Sequence, residues 1–205
     1  MEVFFYEAFA EEAEYLQQYL SPGIAAGFTR KTIQEHGTAE PPAGLISIRT
    51  QSSVPVSWAV KLAGILTRST GYDHLEKYRG QENCNLPCGH LPPYCSRAVA
   101  EQAMLLWTAL LRNLPGQSES FASFNRDGLT GWECEGNSLR DGRSSHDEEV
   151  ANTLELAGRP NVICTPHNAF NTHEAIARKS KLSIEQINYF LKNGEFLRPV
   201  PREIT

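Results

Sequence analysis

The residue of this sequence that stands where chemistry is usually found is His167. The stretch NVICTPHNAFNTHEA, residues 161–175, reads as a buried strand over 161–165, with Val162, Ile163 and Cys164 following the breaker pair Arg159-Pro160. A turn through Thr165, Pro166 and His167 follows, and Asn171 reads as the N-cap of a helix with Glu174 at the capping-box spacing. An imidazole beyond a strand's carboxyl end lies in the crevice where α/β sheets usually bind their ligands. The same residue also fits a turn histidine fixed by a hydrogen bond.

Two small polar turns are the other candidates. One runs Arg49-Thr50-Gln51-Ser52-Ser53, the other Arg68-Ser69-Thr70-Gly71-Tyr72. Successive backbone N–H groups in a glycine-containing turn form a nest for an anion such as a carboxylate. Each stretch also reads as an ordinary βα turn, and Arg49 and Arg68 as strand-end arginines paired with surface acids. Cys84, Cys88, His90 and Cys95 crowd into one proline-rich stretch, but only a single closely spaced cysteine pair is present, so no metal site is expected. That stretch reads as a linker.

The elements that must position these residues alternate along the chain. Short apolar runs at 3–6, 24–28, 45–48, 65–67 and 83–86 read as strands, and 11–20 and 54–62 as helices, the second capped by Ser53. The expectation is an α/β fold, a flavodoxin-like parallel five-stranded sheet with flanking helices. Residues 96–114 form a helix that is apolar nearly all round and needs partners on both sides. Asp147, Glu148 and Glu149 read as the first turn of a further helix, where acids favour the dipole. The last helix, 172–192, carries Ile176, Ser180, Ile184, Ile187 and Leu191 on one face, which should pack on the sheet, and stops at Asn193-Gly194. An extended tail follows.

With 205 residues, 40% of them hydrophobic, and a formal net charge of −5, the chain is expected to be globular and cytoplasmic. Its opening has no basic n-region and no apolar span, so neither a signal peptide nor a membrane segment is expected. Five cysteines without a CxxC read as reduced thiols. An acidic composition lacking a Lys/Arg run argues against nucleic acid.

Three stretches in order, TRSTGYDHL at 67–75, LPPYCSRAVAEQAMLLWTALLR at 91–112 and TPHNAFNT at 165–172, resemble the D-isomer-specific 2-hydroxyacid dehydrogenases, relatives of D-lactate dehydrogenase. The resemblance implies that His167 is the general acid/base exchanging a proton with the substrate's C2 oxygen while NAD exchanges the hydride, a role that suits imidazole. It implies that Ser69, Thr70 and Gly71 hold the substrate carboxylate, that Tyr94 contacts substrate, and that Tyr94 and Phe170 wall the pocket. Gln102 stands where many members of that family have histidine.

One departure decides what to expect of the function. After residues 128–136 the family continues into a strand and a GxGxxG turn for the pyrophosphate of NAD, but here Asn137-Ser138 leads into LRDGRSS, and no two glycines in the chain are spaced two apart. The chain is also shorter than the family's two-domain form by roughly 100 to 150 residues. The family's catalytic arginine and the glutamate that tunes the histidine lie in that missing portion. The expectation is therefore a single substrate-binding domain made of segments 1–136 and 139–205 joined at 137–138, with Gly136 and Leu139 close together. It binds no NAD itself and is inactive alone. Its expected partners are a weakly bound small 2-oxo or 2-hydroxy acid and a second copy, as homodimer or domain swap, through the uncovered helix 96–114 and strand 161–165. Two other readings stand beside it: a dehydrogenase supplied with NAD by another chain, and a folding or self-assembly module with idle ligand loops.

Overall fold

The computed structural model describes residues 1–82, 85–137, 159 and 162–201. The chain divides into two compact units, Met1–Cys95 with Thr172–Thr205, and Ser96–Asn171.

Five parallel strands organise the first unit: β1 (Val3–Phe5), β2 (Ala26–Phe28), β3 (Leu45–Ile48), β4 (Gly64–Thr67) and β5 (Cys88–Gly89), in the order β2-β1-β3-β4-β5. That order is the flavodoxin-like one, with its switch point between β1 and β3. The helices are α1 (Ala10–Tyr19), α2 (Ile33–His36) and α3 (Asp73–Glu82), then α4 (Ser96–Leu111) and α5 (Leu114–Ser120) of the second unit, and α6 (His173–Asn193) back in the first.

A parallel sheet must be covered on both faces, and the alternation of side chains along each strand supplies both. Phe4, Tyr6, Ile46, Ile48 and Ile65 join Ile33, Trp58, Leu75 and Tyr78 on one face; Val3, Phe5, Leu45 and Leu66 join Leu16, Ile184, Ile187 and Phe190 on the other. The second cluster places α1 and α6 side by side over the sheet, as expected of the last helix. Contact is close enough at β4 that a Cβ on Gly64 would lie 2.5 Å from Phe190.

Several boundaries differ from the sequence-based expectation. The fifth strand is Cys88–Gly89, and the described part of 83–86, Asn85 and Leu86, lies outside it, because Pro87 has no N–H for the ladder and pairing begins at its carbonyl, which accepts from Ile65. The helix expected over 54–62 shrinks to one 3-10 turn, Val56–Trp58; Ala63 and Gly64 already donate to the carbonyl of Gly44, so the chain enters β4 directly, and the N–H of Ser53 goes to Gln34 and caps nothing. Helix α4 stops at Leu111, since Asn113 takes a left-handed conformation at φ 48° before α5 begins, and Met104 and Leu105 of α4 are exposed.

Over its described residues, 162–165, the run before His167 is not a strand. Val162 and Ile163 are half-buried, while Cys164, Thr165 and His167 are exposed. Among the described residues of the second unit no strand offers a ladder for it. Helix α6 is capped by Thr172, whose Oγ1 accepts from the N–H of Ala175 at 3.2 Å, and not by Asn171. Its buried stripe ends on Phe190 and leaves Leu191 exposed, because the i+3 step from Ile187 faces the sheet. Gly194, at φ 74°, ends the helix as the sequence implies. The tail then bridges β5 antiparallel at Gly89 and Pro199, covering a sheet edge. Ser138, Leu139, the acidic turn 147–149 and Asn161 lie outside the described residues, as does Cys84.

Candidate functional site

The carboxyl ends of β1, β3 and β4 carry the polar side chains of the first unit. Past β1, Glu7 is buried and its backbone is left-handed at φ 53°, an uncommon state for a side chain of that size. The conformation is held by what the carboxylate does: it accepts from the N–H of Arg49 at 2.9 Å, the N–H of Gln51 at 3.2 Å and the Ser52 hydroxyl at 2.7 Å. Glu7 thereby ties the loop after β3 to the end of β1. The Arg49 guanidinium lies 5.5 Å from the centre of the Phe9 ring.

Past β4, the turn at 69–71 is built from hydroxyls. The Ser69 hydroxyl donates to the carbonyl of Gly71 at 2.6 Å and sits 2.7 Å from Thr67 Oγ1, which is 3.1 Å from His74 Nε2. Each hydroxyl has one proton, so Thr67 must donate to Ser69 and His74 must donate to Thr67 from Nε2. Burial lowers the proton affinity of His74, partly offset by Glu7 and Asp73. Leu91 N–H donates to the carbonyl of Ser69 at 3.0 Å and the Thr70 hydroxyl to that of Pro92 at 3.4 Å, fixing the outer side of the turn. Among the described residues, the N–H groups of Ser69, Thr70 and Gly71 meet no backbone or side-chain acceptor. Gly71 is exposed, and a Cβ built on it would meet nothing within 4 Å. Its backbone has no positive φ, so the glycine serves openness and not conformation.

Behind this turn lies a buried charge cluster that the sequence reading missed. Arg68 is fully buried: Nε donates to Glu12 Oε1 at 2.8 Å, and its two terminal nitrogens donate to Ser47 Oγ at 3.0 Å and the carbonyl of Tyr6 at 2.6 Å. Its acid is thus not on the surface, as expected of a strand-end arginine, but in the interior. Lys179 of α6, 1% exposed, places Nζ 3.0 Å from Glu12 Oε2 and 6.0 Å from the centre of the Tyr94 ring. Burial alone would raise the Glu12 carboxyl; the Arg68 and Lys179 cations overcome that and hold it at about 2. Lys179 goes the other way, brought down to about 8 by burial, with Glu12 opposing and Arg49 and Arg68 adding to the fall. Burial, then Cys95, pushes the Tyr94 phenol up to about 12. The available signal was Lys179 itself, a lysine at i+3 from Ile176 on the apolar stripe.

Of the residues singled out from the sequence, Ser69, Thr70, Gly71 and Tyr94 thus fall in the first unit, joined through the 91–94 segment. His167 and Phe170 belong to the second unit, described by itself. There His167 is exposed, left-handed at φ 51°, and its N–H donates to the carbonyl of Thr165 at 2.7 Å; its ring is 6.1 Å from that of Phe170. The described residues of the second unit contain no strand to lead into a glycine turn, and a Cβ on Gly131 would strike the Leu111 carbonyl at 2.5 Å. Among the described residues no group of three His, Cys, Asp or Glu side chains could hold a metal ion, and no helix is long and apolar enough to cross a membrane.

The fold belongs to a class shared with D-lactate dehydrogenase and D-2-hydroxyisocaproate dehydrogenase. Among particular structures, the chain is similar to apo D-lactate dehydrogenase from Escherichia coli, with TM-score 0.73 and 14% identity over 98% of this chain and 100% of that one. A D-lactate dehydrogenase from Treponema pallidum matches with TM-score 0.71 and 11% identity over 98% and 100%. That of Aquifex aeolicus, complexed with NAD and lactic acid, matches with TM-score 0.69 and 15% identity over 96% and 99%. No protein-family model matches the chain, and no curated protein does.

Proposed function

We propose that this chain is the substrate-binding part of an NAD-dependent D-2-hydroxyacid dehydrogenase, holding a small 2-oxo or 2-hydroxy acid by its carboxylate. The observation that carries this reading is the 69–71 turn, half-buried at Ser69 and exposed at Thr70 and Gly71, whose N–H groups lack acceptors among the described residues at the carboxyl end of β4. Uncommitted amides are a feature an anion needs, and a crevice outside strand ends is where α/β sheets bind ligands. Tyr94 would wall the ligand. His167, with Phe170 beside it, would be the general acid/base of the reaction, on an exposed turn.

The chain by itself is proposed to be inactive. The absence of a GxGxxG motif from the sequence supports this reading, since that turn is what cradles the hydride carrier in the family. The joint at 137–138 is proposed as the point where the nucleotide-binding domain of the family would stand, and the reduced thiols fit a cytoplasmic setting. The second unit exposes Met104, Leu105, Leu114, Phe121, Phe124 and Trp132, an apolar surface suited to pairing with a second copy.

The test is an amide chemical-shift titration with pyruvate at millimolar concentration, together with a thermal melt in NADH. Shifts at Gly71 and Tyr72 with no stabilisation by NADH are expected, since a ligand that binds only the folded state must raise its midpoint. No shift at either amide would favour the folding or self-assembly module instead; a raised midpoint in NADH would refute the missing cradle.

A further inference from the structure

We propose that His74 is a positioning residue for the carboxylate site, holding the 69–71 turn in its anion-ready shape through Thr67 and Ser69. The inference rests on the carboxylate-binding reading above and adds what keeps that turn in place. Its basis is a chain of three hydrogen bonds that runs from the first turn of α3 back across the end of β4. His74 Nε2 lies 3.1 Å from Thr67 Oγ1, Thr67 Oγ1 lies 2.7 Å from Ser69 Oγ, and Ser69 Oγ lies 2.6 Å from the carbonyl oxygen of Gly71. A carbonyl can only accept, and that fixes the direction of every bond: Ser69 donates to Gly71, Thr67 to Ser69, and His74 to Thr67.

The anchored end of this chain lies in the fold. Thr67 is fully buried and pairs with Ile48 in the sheet, and His74 is half-buried beside it. The ligand's end is the turn. A hydroxyl that accepts a hydrogen bond becomes a stronger donor, so the imidazole at one end strengthens the bond from Ser69 to Gly71 at the other. That last bond decides where an amide points. The peptide joining Gly71 to Tyr72 is trans and planar, so drawing its carbonyl toward Ser69 sends the Tyr72 N–H to the opposite side; among the described residues that N–H meets no acceptor. The outer side of the turn is pinned separately, by Leu91 on the carbonyl of Ser69 and by the Tyr72 ring, 4.7 Å from that of His90. Without the imidazole, the Thr67 hydroxyl can accept from Ser69 instead of donating to it, and the bond that orients the Gly71 peptide is lost.

The experiment titrates pyruvate into the full chain and reads its Kd from the amide shifts of Gly71 and Tyr72, with a thermal melt of every variant to show that it folds. His74→Leu removes the donor and is expected to weaken pyruvate binding by about fivefold, the equivalent of one hydrogen bond. Thr67→Val keeps the shape of its side chain, cuts the chain in the middle and is expected to show the same loss. The double variant is expected to lose no more than either single one, since both break one connected unit. His74→Gln, whose amide N–H replaces the one on Nε2, is expected to regain most of the affinity, a recovery that a merely space-filling histidine would not give. Wild-type affinity in a folded His74→Leu, losses that add in the double variant, or a folded His74→Gln as weak as His74→Leu overturns the role of His74 and leaves the carboxylate site standing. Should His74→Leu not fold, wild-type affinity in Thr67→Val overturns that role by itself. Pyruvate that moves neither amide in the wild type overturns both.

Discussion

Replacing Glu12 by Gln keeps the shape of the side chain and removes the one carboxylate between Arg68 and Lys179, which are both essentially excluded from solvent. Removing one partner of a buried ion pair costs about 3–5 kcal/mol, because the remaining charge stays desolvated and uncompensated. The depressed proton affinity of the carboxyl points to a cost of the same size. The carboxyl moves from 4.5 to about 2 on folding, and linkage converts that change to about 3 kcal/mol. The folded-state value is depressed, so this stability is complete above pH 4.5 and is lost as pH falls through 4.5 toward 2. Urea unfolding at pH 7 should show Glu12→Gln less stable by about 3–5 kcal/mol. Repeated at pH 3, the gap between the two proteins should narrow, since the wild type alone loses the carboxylate's contribution. A cost below about 1 kcal/mol at pH 7, or a gap that does not change with pH, would refute the claim that Glu12 is the counter-charge of the cluster.

Lys179 predicts the opposite sign at the other end of the scale: its folded-state value of about 8 lies below 10.5, so the folded chain should gain stability as pH rises from 8 toward 10.5, read as an increasing urea midpoint. Gly64→Ala puts a methyl 2.5 Å from Phe190 and should cost about 1–3 kcal/mol in urea, much of it recovered by a further Phe190→Leu; no loss in the single variant would mean α6 does not press on β4. Gly71→Ala meets open space and needs no special φ, so its melting temperature should match or exceed that of the wild type, while pyruvate binding weakens because the added methyl stands over the amides.

What could be read from the sequence follows from what each signal depends on. The strands at 3–6, 45–48 and 65–67 were legible because parallel strands buried on both faces must be continuous apolar runs, a pattern few other structures need. The run at 161–165 has the same composition yet is no strand over its described part, since strand formation depends on a neighbour that lies elsewhere in the chain and composition does not report it. The helix at 54–62 failed for a similar reason: Ala63 and Gly64 are drawn to the carbonyl of Gly44 on a neighbouring part of the sheet, a pairing that local periodicity does not report. At the site, the turn residues Ser69, Thr70 and Gly71 could be identified by type and order. Glu7, Glu12 and Lys179 could not. An acid in the first turn of a helix reads as an ordinary partner of the dipole, and only the three-dimensional meeting of α1, α6 and β4 makes Glu12 the counter-ion of two buried cations.

The tail's bridge to β5 and the seat of α6 on the sheet make the first unit discontinuous, its two segments separated by the whole of the second unit. During synthesis the amino-terminal ninety-five residues therefore emerge with one face of their sheet covered by α1 alone and with Arg68 and Glu12 still waiting for Lys179. Until the ribosome releases the last segment, that half-finished layer is the form a chaperone or protease would meet.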